Sequence, residues 1–449
     1  MAFRIEIKHL ASPTEFFASV GKVLPLGSFR TIVIKPNWVK HAEHAEFPIE
    51  ALVTSSQLIE AVIDACLQKY PDVEKITIAD VPLQSCDWHT LCAQAGIDKL
   101  EAKYTASRKP QIRFLDLRRE RYRLQDGFLI KDEEAPGDPL GYAEVRLDER
   151  SLLEEVTDSA HLFRVSDYDP GETISSHSRQ CHRYLIPKTI LEADILINLP
   201  KMKTHQKSGV TGALKNLVGI NGDKSRLVHH RLGFPDKGGD EFSPDISRIF
   251  YWQARLRELL QKRSPSLFAI CKKAWEYLKR LRGIKTVGTL ENLQSSSFYV
   301  GSGSWYGNDS IWRMVYDLHM VLLFTSKEGG KLENTPQRQV FHIMDGVVAG
   351  EGNGPLQPLP VQAGVMLASD NPFLIDFSMA KLMGYDWKKI RLLSQYRRFS
   401  SAPFVDFDPL TFEVVLDGIS SARGVEAIPV IKTFVPPPGW KDHIALTDS

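Results

Sequence analysis

The chain has 449 residues, more than one hydrophobic core usually serves, so two lobes or one large α/β domain with insertions are expected. Its 56 Lys+Arg against 55 Asp+Glu give a net charge of +1, so global charge offers no basis for nucleic-acid binding, and none is expected. Hydrophobic content of 43% and charged content of 25% are those of a folded globular protein.

The N-terminus, MAFRIEIKHLASPTEFF, reads as a first strand and lacks the apolar core of a signal peptide. Strand signals at Arg4–Lys8, Thr31–Ile34, Lys75–Ala79 and Ile112–Leu115 alternate with helix signals at Ser55–Tyr70 and Trp88–Ala95. This rhythm predicts a parallel sheet with right-handed crossovers. Gln125–Asp148, rich in charge, Gly and Pro, reads as a surface excursion. A helix over Pro187–Glu192 and a strand over Asp194–Leu199 follow, then a cationic segment, then a helical stretch from Ile246 to Lys285. The helix Ile311–Phe324, the strands Gln339–Met344 and Val361–Ala368, the helix Phe373–Met383 and short strands at Phe412–Leu416 and Ala427–Thr433 complete the chain. The expected class is α/β, with mostly parallel sheet and flanking helices. Its two lobes would cover 1–190 and 191–449, with a basic helical insertion at about 246–300.

The longest apolar run, Met314–Thr325, carries Asp317 and His319 and falls short of the roughly 18 residues that span a bilayer. Five cysteines, Cys66, Cys86, Cys92, Cys181 and Cys271, are scattered without a C-x-x-C. No disulfide framework, zinc knuckle or iron–sulfur cluster is expected, and the expected compartment is the cytoplasm.

The most informative stretch is NLPKMKTHQKSGVTGALKNLVGINGDK. Pro200 keeps Leu199 extended, and continued extension would set Lys201, Lys203 and His205 on one face. They would then project from the carboxyl end of a buried strand, where open parallel sheets bind ligands. Thr211 is placed to cap a short helix, Gly212–Val218, whose free N–H groups favour an anion. Lys215 and Asn216 lie one turn inside it. A Walker loop does not match, because Lys215 follows Leu214 and precedes Asn216.

The chain resembles the family called domain of unknown function 362. The matching pieces are IKPNWV, LINLPKMKTH, GVTGALKNLVG, GNDSIWRMVYDLHMVLL, MDGVVAGEGNGP and LASDNPFLIDFSMAKLMG. Many relatives carry an appended ferredoxin module, and this chain lacks its cysteines. A shorter motif, with His205, Gly209, Thr211, Gly212 and Lys215 spaced as H-x-x-x-G-x-[ST]-G-x-x-K, is similar to nickel-pincer lactate racemases. That resemblance implies an attachment lysine at Lys215. It places a nickel-binding histidine near His229 or His230, offset by about a residue.

Other groups could converge on the same place. Lys35 and Asn37 follow the strand Thr31–Ile34, and Asp80 ends its own strand. Asp345 and Glu351 stand in and near a glycine-rich stretch, as acid/base groups, Mg²⁺ ligands or lysine partners. Arg313 either clamps a carboxylate or pairs with Asp309 on its own helix.

The leading expectation is an enzyme acting on a small anionic substrate, a carboxylate or phosphate. Lys35, Asn37, Lys201, Lys203, Thr211, Gly212, Asn216 and Arg313 would bind it, and His205, Lys215, Asp345 and Glu351 would perform isomerisation, elimination or redox chemistry. His229, His230 and Asp80 are the candidate ligands of a divalent metal; any organic cofactor is left open. One alternative is Mg²⁺-dependent phosphoryl or acyl-phosphate transfer. Another is a non-catalytic, membrane-associated or redox-accessory protein. From Arg255 to Lys285, ten basic and two acidic residues interleave with apolar ones, which suits peripheral membrane contact, a partner or a solvated face.

Overall fold

The fold is seen in a computed structural model that describes residues 3–105, 110–125, 128–166, 168–252, 255–256, 259, 301–399 and 405–446. Eleven strands share one sheet: β1 (Arg4–His9), β2 (Thr31–Pro36), β3 (Lys75–Asp80), β4 (Gln111–Asp116), β5 (Ile195–Leu199), β6 (Lys201–His205), β7 (Gly209–Val210), β8 (Gln339–Asn353), β9 (Gln357–Ser369), β10 (Glu413–Leu416) and β11 (Ile419–Ser421). Their order is β11-β10-β1-β9-β8-β5-β2-β3-β4, with β6 paired to β8 and β7. Six of the ten pairings are parallel, so the class is α/β with a mostly parallel sheet. Strands from both sides of residue 190 interleave in this sheet.

Alternation along the strands divides the core. Ile32, Ile34, Ile76, Ile78, Ile195 and Ile197 face one apolar cluster, which the helix Ser56–Lys69 covers through Leu58, Ile59, Val62 and Ile63. Val33, Ala79, Leu196 and Met344 face the other, built with the helices Ile311–Phe324 and Pro372–Leu382. Both faces are buried, which is why these strands read as continuous apolar runs.

The expected β2-β3-β4 parallel run is present, while β1 lies across the sheet between β9 and β10. Two other expectations are corrected. Tyr142–Leu147, within the supposed surface excursion, pairs with Cys181–Pro187 and buries Ala143, Val145 and Leu147. The supposed loop at Glu351 is the end of β8, continued to Asn353 in a hairpin with β9. Gly350 serves that close packing, because a Cβ there would stand 2.6 Å from Pro358 and 3.1 Å from the Ala51 carbonyl. The stretch Ala427–Thr433, expected as a strand, begins instead with a 3₁₀ turn, Gly424–Ala427.

Among the described residues, no helix is long and apolar enough to cross a membrane. Of the basic stretch Arg255–Lys285, all but Arg255, Leu256 and Leu259 lie outside the described residues.

Candidate active site

The chain passes from β2 outward to β3 and β4, then returns with β5 on the other side of β2. The carboxyl ends of β2 and β5 therefore flank a topological switch point, where open α/β sheets leave a crevice. Asn198 stands opposite Lys35 and Leu199 opposite Pro36 across that gap. The helix Gly212–Asn216 is seated there.

A directed chain of side-chain amides closes the crevice. Lys203 Nζ donates to Asn37 Oδ1 at 3.0 Å, and Asn37 Nδ2 donates to Asn216 Oδ1 at 2.7 Å. Asn216 Nδ2 donates to Asn198 Oδ1 at 2.7 Å, and Asn198 Nδ2 donates to Ala213 O and His342 Nδ1, both at 3.0 Å. The Ala213 carbonyl can only accept, so it fixes the polarity of the whole chain back to Lys203. All of these residues are buried.

The same helix is held from its other sides. Asp376 accepts from the amides of Ala213 and Leu214 at 2.5 and 3.0 Å, and His319 Nε2 donates to Leu214 O at 3.0 Å. This corrects the expected cap: Thr211 makes no side-chain capping bond, and the N–H groups foreseen for an external anion already bond the Asp376 carboxyl group. Gly212, at φ +51°, permits it, because a Cβ there would collide with the Asp376 carboxyl group. Burial pushes the Asp376 pKa up to about 8, against the pull of the two amides. A five-residue helix is thus clamped by side chains from three elements and by Asn37 just past β2, and Lys215 rides on it.

The lysines then divide. Lys35 pairs with Asp80 at 2.8 Å and donates to Pro36 O; Asp80 also accepts from the amides of Trp38 and Val81. Gly219 packs onto that pair, since a Cβ would stand 2.6 Å from Lys35 Nζ. Lys201 pairs with Asp345 at 2.8 Å, and the Ser55 amide bonds the same carboxylate. Lys203 spends its donors on Asn37, Leu52 O and Pro355 O. The Lys215 side chain has no hydrogen bond or ion pair among the described residues, although the residue is only 8% exposed. Burial, then Lys224, Lys207 and Lys35, push its pKa down to about 7. Lys224, bonded to Val218 O, is likewise pushed down to about 7, first by burial.

Two histidines adjoin Lys215 and differ in kind. His205 Nδ1 accepts from the amides of Lys207 and Ser208 at 3.1 and 3.3 Å, so its proton sits on Nε2. His229 Nδ1 lies 3.1 Å from Leu227 O, which can only accept, so Nδ1 carries the proton and Nε2 a lone pair. Burial holds both rings well below histidine's usual pKa, and the nearby Lys215 charge depresses them further. A second proton on His205 Nδ1 would break both of these backbone bonds, so the ring is held as an Nε2–H donor. His229 instead presents a lone pair on Nε2.

The remaining candidates are engaged elsewhere. Glu351 pairs with Lys432 and accepts from the Val435 amide. Arg313 pairs with Asp309, as in the intrahelical reading, and with Glu155, and lies over the Trp312 ring. The oxygens of Asp80 meet Lys35 and two backbone amides, while the buried Nδ1 of His230 has no hydrogen-bond partner among the described residues. Among the described residues, no three His, Cys, Asp or Glu side chains are grouped to hold a metal ion. His229, His230 and Asp80 are thus not brought together among the described residues, and Asp80, Asp345 and Glu351, the carboxylates of the Mg²⁺ reading, each pair with a lysine. Sequence reading passed over Lys207, Lys224, Asn198, His319, His342 and Asp376. The first three lie within or just beyond the cationic segment, and their residue types were the available signal.

Two cavities open elsewhere. One, of about 390 Å³, is lined by Arg119, Glu120, Asp138 and Tyr142 among others. The other, of about 130 Å³, is lined by His319, His342 and Asp370 with apolar neighbours, so the amide chain ends at its wall.

No curated protein matches the chain. Among solved structures, a Thermotoga maritima protein is 10% identical with a TM-score of 0.34, over 85% of this chain and 58% of that one. The lactate racemase apoprotein from Thermoanaerobacterium thermosaccharolyticum is also 10% identical, with a TM-score of 0.32, over 84% and 56%. The chain spans somewhat more than half the length of either. The family described as a domain of unknown function, DUF362, matches residues 142–381, which hold β5 to β9 and the Lys215 helix but not Lys35, Asn37 or Asp80. The chain belongs to the DUF362 family.

Proposed function

We propose that the protein is an enzyme that receives a small organic anion at Lys215 and moves a proton on its carbon framework through His229. The observation that carries this reading is the contrast among the lysines. Lys35 and Lys201 have carboxylate partners, whereas Lys215, beside Lys207 and Lys224, has none among the described residues. An unpaired buried ammonium is costly, and a carboxylate-bearing ligand would relieve that cost.

Withdrawing a proton from carbon beside a carboxylate builds negative charge on the carboxylate oxygens. The Lys215 ammonium and the Nε2–H of His205 are two donors for that charge, and neither moves a proton to supply it. His229 Nε2 takes the proton while its Nδ1–H stays on Leu227 O, and the imidazolium can return it to either face or to a departing hydroxyl. Isomerisation and elimination are therefore the favoured reaction classes.

The test is solvent-deuterium incorporation into a panel of 2-hydroxy, 2-oxo and 3-hydroxy carboxylates, followed by NMR. Exchange beside the carboxylate is expected with the wild type and is lost in His229→Gln. Equal exchange in both proteins, or none across the panel, contradicts the reading.

A further inference from the structure

Granted the anion site just proposed, on which this step rests, we infer that Lys215 attacks the carbonyl carbon of a small 2-oxo acid and holds it as an imine. The geometry supplies what such a step needs. An amine nucleophile needs a free lone pair, and Lys215 is the lysine at this centre whose side-chain nitrogen has no hydrogen-bond or ion-pair partner among the described residues. It also needs a fixed trajectory. Asp376, His319, Asn198 and Asn37 pin the backbone and the neighbouring Asn216, so Lys215 enters from a rigid platform.

The two rings complete the set. The fixed Nε2–H of His205 suits the oxygen on which charge collects as the carbonyl is attacked. The lone pair of His229 suits the protons that must leave nitrogen. The chemistry balances without an oxidant or reductant. The nitrogen lone pair forms the C–N bond and the carbonyl π pair moves to oxygen. His229 carries the two N–H protons, one after the other, from nitrogen to that oxygen. The C–O bond then breaks, water leaves with its electron pair, and the nitrogen pair closes C=N. Amine and oxo acid give imine and water.

The depressed pKa supports the step, because a lysine titrating near 7 is partly neutral at neutral pH. The substrate class follows from the same residues. A carbonyl is required for the amine, and an adjacent carboxylate suits the flanking Lys207 and Lys224, whose charges are felt at Lys215. The imine in turn provides an electron sink for the proton transfers assigned to His229.

The test uses the full chain with pyruvate as the probe and sodium cyanoborohydride as the reductant, followed by peptide mapping. One reduced adduct on Lys215 is expected, absent without pyruvate. A second arm measures acetylation of Lys215 by acetic anhydride with and without oxalate, an anion that has no ketone. If oxalate slows acetylation several-fold but pyruvate leaves no adduct, the imine is overturned and the anion site stands. If neither reagent affects Lys215, both fall. An adduct on Lys224 in place of Lys215 also overturns the assignment.

Discussion

The tips of β2 and β6 and the helix between them treat the same side chain in opposite ways. Lys35 and Lys201, each 1% exposed, meet Asp80 and Asp345 at 2.8 Å, and each carboxylate is further held by backbone amides. Lys215, hardly more exposed, is set on a helix that Asp376 and His319 hold by its backbone, yet its own side-chain nitrogen has no partner among the described residues. Burial of charge is tolerated where the charge is paired, and an unpaired charge persists where the surrounding structure over-determines it. The paired lysines thus read as architecture and the open one as chemistry.

The largest effect that could break this comparison is at the paired tips. Lys201→Met leaves Asp345 buried without its counter-ion and is expected to destabilise the fold by about 3–5 kcal/mol in urea unfolding. Adding Asp345→Leu should restore most of the loss, and Lys35→Met should behave like Lys201→Met. Equal tolerance of all three lysines to Met would erase the distinction.

Next is the clamp. Asp376→Ala orphans two buried amides and is expected to cost about 1–3 kcal/mol, again read by denaturant unfolding. Its pH dependence has a definite sign. The folded pKa near 8 lies above the unfolded value near 3.8, so between them the folded protein holds a proton that the unfolded chain has released. This group's contribution is therefore full below about pH 4 and is lost as pH rises through 8. The difference between wild type and Asp376→Asn should show that downward slope, and a flat difference would contradict the assignment.

A smaller effect of opposite sign belongs to Lys215. Replacing an unpaired buried ammonium by Met is expected to raise stability by about 0.5–2 kcal/mol, while abolishing oxalate-sensitive chemistry at the site. Smallest is Glu351→Gln. Its partner Lys432 is 48% exposed, so stability should change by less than about 1 kcal/mol, and Lys215 acetylation should not change.

Much of this was legible from residue order alone. Strand and helix positions followed apolar periodicity, and Lys35 and Asp80 stand at strand ends as their signals implied, whereas Lys201 opens a further strand and Asp345 lies within β8, which runs on past it. What each side chain does there was not legible, because the partners come from distant sequence. Asp376 caps a helix 163 residues before it, and Lys201 meets Asp345 across 144 residues. The glycines around Glu351 invited a loop because glycine marks close approach without saying whether to a ligand or another strand. The roles of His205 and His229 depend on which ring nitrogen meets a backbone donor or acceptor, and residue type is silent on that.

The reserved amine is tested most directly by titrating Lys215 itself, through the NMR signal of its reductively ¹³C-methylated side chain assigned with Lys215→Met. A midpoint near 7 is predicted, moving upward when oxalate binds and pairs the ammonium. A midpoint near 10.5, indifferent to oxalate, would contradict it.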